Sequence, residues 1–282
     1  MMDAVTRQAV TRSGAPRTNT AGMPPDPFPR RPRRRLRTFL VVTSATLVAV
    51  AAVTVASGLD EFDQRQPRIE IPEGIPPGPG APLPPIDVDA PGRAATQLAH
   101  WAAPLSDSLA ISPIALEAYG YAAAVMAQSR PECGIGWTTL AGIAAVESKH
   151  GTHGGARVGD DGLVSPPIRG IALDGSPGVA EIPDTDGGAM DGDATHDRAM
   201  GPLQFIPETW KRWGVDANGD GVADPDSIDD AALTAARYLC ARGGDLTTED
   251  GWRTALMAYN LSGEYLLDVR DRAAAYSVGV RR

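Results

Sequence analysis

From Phe39 to Leu59 the chain runs 21 residues without a charged side chain. So long an apolar stretch constrains the architecture more than any other feature, because a compact soluble domain has no place for it. At ~1.5 Å per residue a helix of this length spans ~31 Å, about one bilayer hydrocarbon core. Arg30, Arg31, Arg33, Arg34, Arg35 and Arg37 stand directly before it. Flanking arginines stay on the cytoplasmic side. The pattern therefore predicts a single-pass signal anchor at 39–59 in the cell membrane, with the C-terminal part extracytoplasmic. The alternative is a long signal peptide. Its usual apolar region is ~7–15 residues, but Ala49, Ala51, Ala52, Ala56 and Ser57 leave cleavage, and hence secretion, open. No cysteine stands at the end of the run, which excludes a lipid-anchored N-terminal Cys.

The charge distribution agrees with a chain divided at this run. Residues 1–60 hold nine Arg against three acids, while residues 61–282 hold 17 Lys+Arg against 32 acids. An acidic C-terminal part is a poor nucleic-acid binder, since phosphate neutralisation needs clustered cations. Residues 1–38 are rich in Arg and Pro, lack a hydrophobic period and are expected to be disordered. Residues 60–93 contain nine prolines from Pro67 to Pro91 and read as a semi-rigid extended spacer.

From Ala94 to Arg282 the sequence is predominantly helical. Ser112-Pro113 supplies a hydroxyl cap and a first-turn proline. Further helices are expected over Trp137–Lys149, from Pro207 to near Gly214, from Asp229 or Asp230 as cap to Arg242, around Trp252–Tyr259, and after a cap at Ser262. The stretch Gly151–Arg198, dense in Gly, Asp and Pro, interrupts them. Within it, Ile168–Leu173 and Val179–Ile182 flank a Gly-rich turn and predict a small β-hairpin insertion. Two cysteines, Cys133 and Cys240, are too few for a disulfide-dense mini-protein or a four-cysteine zinc site. Both lie beyond the apolar run, so they are expected to pair in an oxidising compartment.

Two segments carry chemistry. In W-T-T-L-A-G-I-A-A-V-E-S-K-H-G, Leu140, Ile143, Ala144 and Glu147 fall on one helical stripe. A carboxyl on an apolar face loses hydration of its charged form, so it holds its proton to higher pH, as a general acid must. The competing reading is that Glu147 marks the point where the stripe meets solvent beside Lys149. In D-A-N-G-D-G-V-A-D, Asp216, Asn218, Asp220, Gly221 and the Val222 carbonyl match the first half of an EF-hand calcium loop. Position 12 is Ser227 where a closing Glu is usual, and Asp229 or Asp230 could close a longer loop. A plain Asp/Gly turn cluster is the alternative. The acids Asp184, Asp186, Asp191, Asp193 and Asp197 read as turn formers, one of which could serve as a second catalytic carboxylate. No G-x-S-x-G, P-loop or dinucleotide fingerprint occurs, and E-x-x-H-x-x-H at 147–153 lacks the zinc-protease order.

Taken together, A-G-I-A-A-V-E-S-K-H-G, D-R-A-M-G-P-L-Q-F-I-P-E-T-W, D-A-N-G-D-G-V-A-D-P with I-D-D-A, and A-L-M-A-Y-N-L-S-G-E-Y-L-L-D-V resemble the membrane-bound lytic murein transglycosylase B family. That family lies in the lysozyme-like, soluble-transglycosylase superfamily. The Gly/Asp-rich segment resembles its actinobacterial branch. The resemblance covers roughly residues 110–272. It implies a lysozyme-like, mainly α domain that cleaves the β-1,4 bond of peptidoglycan glycan strands between N-acetylmuramic acid and N-acetylglucosamine. It makes Glu147 the single acid/base and places Gln204, Tyr259, Asn260 and Tyr265 along the substrate cleft. It also implies structural Ca2+ on Asp216, Asn218, Asp220, the Val222 carbonyl and Asp230, and leaves room for protein partners in wall remodelling. The family's usual Arg or Trp after the catalytic segment is replaced by Lys149-His150. A hydrolytic muramidase of the same fold and a non-catalytic, calcium-stabilised wall-binding module remain the alternative readings.

Overall fold

The computed structural model describes residues 69–282. The predicted cytoplasmic tail, signal anchor and start of the spacer lie outside the described residues. Among the described residues no helix is long and apolar enough to cross a membrane.

Seven α-helices carry the fold: α1 Ala99–Leu109, α2 Pro113–Ser129, α3 Trp137–Ser148, α4 Pro207–Trp213, α5 Ile228–Gly243, α6 Glu249–Tyr259 and α7 Gly263–Ser277. Their starts follow local chemistry. Ser112 Oγ accepts from Ala115 N to cap α2, Thr248 caps α6 and Ser262 caps α7. The cap of α5 is Ser227, whose Oγ accepts from Asp230 N, and not Asp229 or Asp230 as expected. Those two acids are engaged elsewhere. The helix α1, with the 3-10 turn Ala94–Leu98 before it, was not foreseen. Pro104 lies inside it, and Leu98, Trp101, Ala102, Leu105 and Leu109 form the stripe that packs on the core.

The core is built on α3, buried along nearly its whole length, and on α2 and α5. α3 packs on α7, α2 on α5 and α5 on α6. The α3–α7 approach depends on Gly142, where a Cβ would sit 2.8 Å from Val269 O and 3.1 Å from the Ala273 Cβ. A disulfide joins Cys133, ahead of α3, to Cys240 in α5, with Cα atoms 5.5 Å apart.

Four short strands lie between α3 and α4. β1 (Arg157–Val158) pairs with β2 (Val164–Ser165), and β3 (Arg169–Ala172) with β4 (Arg198–Met200), both antiparallel. The expected hairpin of 168–173 with Val179–Ile182 forms at its turn end, where Asp174 and Glu181 pair antiparallel and Gly175 N donates to Ala180 O (3.1 Å), while β3 itself pairs with β4. The 179–182 arm also closes the end of β3 through Ile182 N to Leu173 O (2.8 Å) and passes its own carbonyl to Asp197 N (3.1 Å). The Gly/Asp turn therefore inserts between two strands that are distant in sequence.

The Pro-rich segment departs most from expectation. From Glu73 to Arg93 it is a strap laid on the helical domain and not a free spacer, so the folded unit begins before Ala94. Ile75, Ala81, Leu83, Ile86, Val88 and Ala90 pack against the core. A proline-rich chain leaves its carbonyls without internal partners, and side chains of the domain supply them. Trp137 Nε1 donates to Ala81 O (3.0 Å), Thr138 Oγ1 to Gly78 O (2.8 Å), Tyr121 Oη to Val88 O (2.9 Å) and Arg270 Nη1 to Glu73 O (2.9 Å). Arg93 fastens the end of the strap by pairing with Glu117 of α2 and, through Nε at 2.8 Å, with Asp229 of α5.

Candidate active site

Glu147 is the penultimate residue of α3 and half-buried. The turn that follows is unusual. Lys149, His150 and Gly151 have φ of 53°, 59° and 79°, three consecutive residues in the left-handed region. Among the described residues the other non-glycine positions of this kind are Ala110 and Gln204. Left-handed non-glycine residues are uncommon and gather where surrounding structure over-determines the backbone. Here the reinforcement comes from Ser148, whose Oγ donates to Pro202 O (2.6 Å) and accepts from Gly151 N (2.7 Å). The C-terminus of α3 is thereby pinned to the Gly201-Pro202-Leu203-Gln204 turn. Gly201 lets that turn close: its φ is 70°, and a Cβ would lie 1.7 Å from Pro225 O.

Tyr265, in the first turns of α7, donates from Oη to Glu147 Oε1 at 2.7 Å. Burial raises the Glu147 carboxyl from its ordinary 4.5 to about 8, and the Tyr265 hydrogen bond pulls weakly in the opposite sense. Neither influence comes from a second carboxylate. Tyr259, at the end of α6, donates to Leu203 O at 2.7 Å. Both tyrosines are pushed well above their usual range by burial first and then by the neighbouring Glu147. They remain hydrogen-bond donors at any working pH. Tyr259 also meets Phe205 and Tyr238 edge-on, with centroids 5.7 and 5.8 Å apart.

Gln204 takes its left-handed place in the same turn and donates from Nε2 to Gly201 O (2.9 Å). Asn260 is buried and caps the C-terminus of α6, accepting from Ser262 N (3.1 Å). It shapes the corner from which α7 carries Tyr265 to Glu147. The structure thus brings Glu147, Tyr259 and Tyr265 together, with Gln204 and Asn260 on the turns that hold them. Ser148 and the Pro202 and Leu203 carbonyls were missed at the sequence level. The Ser next to Glu147 was a signal, but carbonyl acceptors leave no trace in a sequence.

The Gly/Asp-rich acids behave as turn formers. Asp184 accepts amides of residues 186–188, Asp193 those of 195 and 196, and Asp197 the Thr185 amide and hydroxyl. Asp184, Asp186 and Asp197 have carboxylate oxygens within 4.8 Å of one another.

In the expected calcium loop Asp216 accepts from Gly219 N (2.7 Å) and Gly221 N (2.8 Å). Asp220 accepts from Val222 N and from Asn218 Nδ2, and Asp230 reaches back to Ala217 N (2.8 Å) and Asp224 N (2.9 Å). Asp216, Asp220 and Asp230 are not a cluster of three oxygens within 4.8 Å. The donor set is all oxygen and fits a hard cation. Burial, with a further contribution from Asp216, lifts Asp230 to about 6. A nearby cation would offset that cost.

The sequence model of the transglycosylase SLT domain matches residues 193–258. That span holds Gln204 and the whole Asp216–Asp230 loop, stops one residue short of Tyr259, and excludes Glu147 and Tyr265. The match supports a place for this region among lytic transglycosylases of the lysozyme-like superfamily, acting on peptidoglycan of the cell wall. The mainly helical fold agrees with it. No curated protein and no solved structure matches the chain.

Proposed function

We propose that the protein is a peptidoglycan lytic transglycosylase with Glu147 as its single acid/base, of the membrane-bound murein transglycosylase B type. The observation that carries this is the half-buried carboxyl at the end of α3, raised to about 8 and held by Tyr265 Oη at 2.7 Å. A carboxyl with that titration is protonated at neutral pH and can donate.

Ordinary glycosidases use two carboxylates, whereas substrate-assisted cleavage needs one. In the proposed reaction Glu147 gives its proton to the glycosidic oxygen leaving C1 of N-acetylmuramic acid. The substrate's own 2-acetamido group stabilises the positive charge developing at C1. The ionised Glu147 then takes the proton of the muramoyl C6 hydroxyl as that oxygen attacks C1 and closes a 1,6-anhydro ring. The proton count balances and water is neither consumed nor released. Holding the C6 hydroxyl over C1 makes the second step intramolecular. Tyr265 steadies the carboxyl through both steps, and Tyr259 holds the Leu203 carbonyl and so the turn that carries Gln204 toward the glycan. Asn260 fixes the α6–α7 corner.

Asp216, Asn218, Asp220, the Val222 carbonyl and Asp230 would hold Ca2+ in a structural role, tying the loop after α4 to the start of α5. The apolar run at 39–59 would keep the domain on the outer side of the cell membrane. Mass analysis of products from purified peptidoglycan tests the reading. Anhydro-muramoyl ends support it, while products heavier by one water assign a muramidase. Wall binding without either product would leave a non-catalytic module.

A further inference from the structure

His150 follows Glu147 by three residues and is used by none of the steps above. It is buried at 8% exposure in spite of being polar and left-handed. Its backbone N–H reaches Ala144 O at 3.0 Å, the long hydrogen bond that closes the C-terminus of α3. Its ring lies between two tyrosines. Nδ1 is 3.2 Å from Tyr119 Oη of α2, and Nε2 is 3.1 Å from Tyr276 Oη of α7. Both rings also pack on the imidazole, with centroids 5.9 and 5.8 Å away.

The groups facing the imidazole are Tyr119 from α2 and Tyr276 and Arg272 from α7. Burial, with the Arg272 charge behind it, lowers its titration to about 3. It is therefore neutral wherever the enzyme works. A neutral imidazole has one N–H and one bare nitrogen, so one tyrosine donates to it and the other accepts from it. Each ring nitrogen has a fixed partner and neither is available to substrate.

The topology gives this chain of three rings a consequence. α7 carries both Tyr265, the partner of Glu147, and Tyr276, the partner of His150. The segment from Glu147 to His150 is thus fastened to α7 at two places, and through Tyr119 to α2 as well. One fastening is the reacting carboxyl itself, and the other is the turn that aims it.

We infer that His150 is a positioning residue for the proposed transglycosylase reaction: the Tyr119–His150–Tyr276 chain locks the left-handed turn after α3 and so sets Glu147 against Tyr265. The inference rests on the proposed role of Glu147. This positioning needs a ring with one donor and one acceptor, in a pocket sealed from solvent.

The test compares the full chain with His150→Phe, His150→Gln and the double variant Tyr119→Phe/Tyr276→Phe, using purified peptidoglycan and product mass analysis. His150→Phe should lower kcat by on the order of 10- to 100-fold with little change in KM, the usual effect of a misplaced catalytic group. The basic limb of its pH–rate profile should move above the wild-type position, because the Tyr265 hydroxyl no longer favours the carboxylate. His150→Gln, which keeps a donor and an acceptor, should restore most of kcat and the limb. A folded His150→Phe with wild-type kcat and an unmoved limb overturns the inference. Should that variant fail to fold, the double tyrosine variant, which removes only two hydroxyls, decides in the same way. Wild-type protein that releases no anhydro product overturns the parent reading instead, so the two failures are distinct.

Discussion

Glu147 converts a sequence pattern into a titration. Its position on the Leu140–Ile143–Ala144 stripe was legible in the spacing, and the rise to about 8 follows from burial. Glu147→Gln should cut turnover roughly a hundred- to ten-thousandfold while leaving sacculus binding intact, read by product release and pull-down. Wild-type activity should fall as pH passes about 8, where the acid is lost. Tyr265→Phe removes the one contact that lowers this titration, so its basic limb should lie higher, with reduced kcat. Stability follows the same sign. The folded state holds the Glu147 proton up to about 8 and the unfolded chain only to 4.5. This contribution is therefore fully present below 4.5 and is lost as pH rises through 8. Thermal melts of Glu147→Gln should gain on wild type across that interval, and a pH-independent difference would contradict the burial. Tyr265 was foreseen only as a cleft aromatic, because its contact with Glu147 depends on how α7 crosses α3, which spacing alone does not reveal.

Among the elements, the pairing of α3 with α7 is the one the chemistry depends on. Both Glu147–Tyr265 and His150–Tyr276 are set by it, and Gly142 leaves no room for a side chain against α7. Gly142→Ala places a methyl 2.8 Å from Val269 O. It should destabilise the fold by about 1–3 kcal/mol and lower kcat, measured by urea unfolding and by turnover on the same preparation. Caps and apolar periods made most helices legible: Ser112 and Ser262 announce theirs, and Trp252–Tyr259 shows its stripe. Two elements were obscured for physical reasons. α1 has a proline inside it, which masks the helical stripe of Leu98, Trp101, Ala102, Leu105 and Leu109. The partner of β3 comes from residues 198–200 because non-local pairing leaves no short-range turn signal. In the Asp216–Asp230 loop, chelation should lower the melting temperature if Ca2+ is held there, and an unchanged melt would remove calcium from the proposal.

At the scale of the molecule, the strap and the disulfide close the fold. The Cys133–Cys240 link encloses 107 residues of sequence separation. Its reduction should cost on the order of 4 kcal/mol through the greater freedom of the unfolded chain, seen as a lower denaturation midpoint with reductant. A chain begun at Ala94 should be far less stable than one begun at Ile69, since it leaves Arg93's partners Glu117 and Asp229 buried without their cation. Proline content alone hides the strap; its signal is the apolar series Ala81, Leu83, Ile86, Val88 and Ala90, spaced two or three residues apart. Its docking also bounds the reach of the domain from the proposed anchor. Between the end of the apolar run at Leu59 and Glu73, whose carbonyl accepts from Arg270, there are thirteen residues. Fully stretched, thirteen residues bridge at most about 47 Å, against about 120 Å for a leash running free to Arg93. Were the run seated in a bilayer as proposed, Glu147 would work within that reach of the lipid. Lengthening residues 60–72 should then widen the zone of cleavage of the proposed reaction without altering its chemistry.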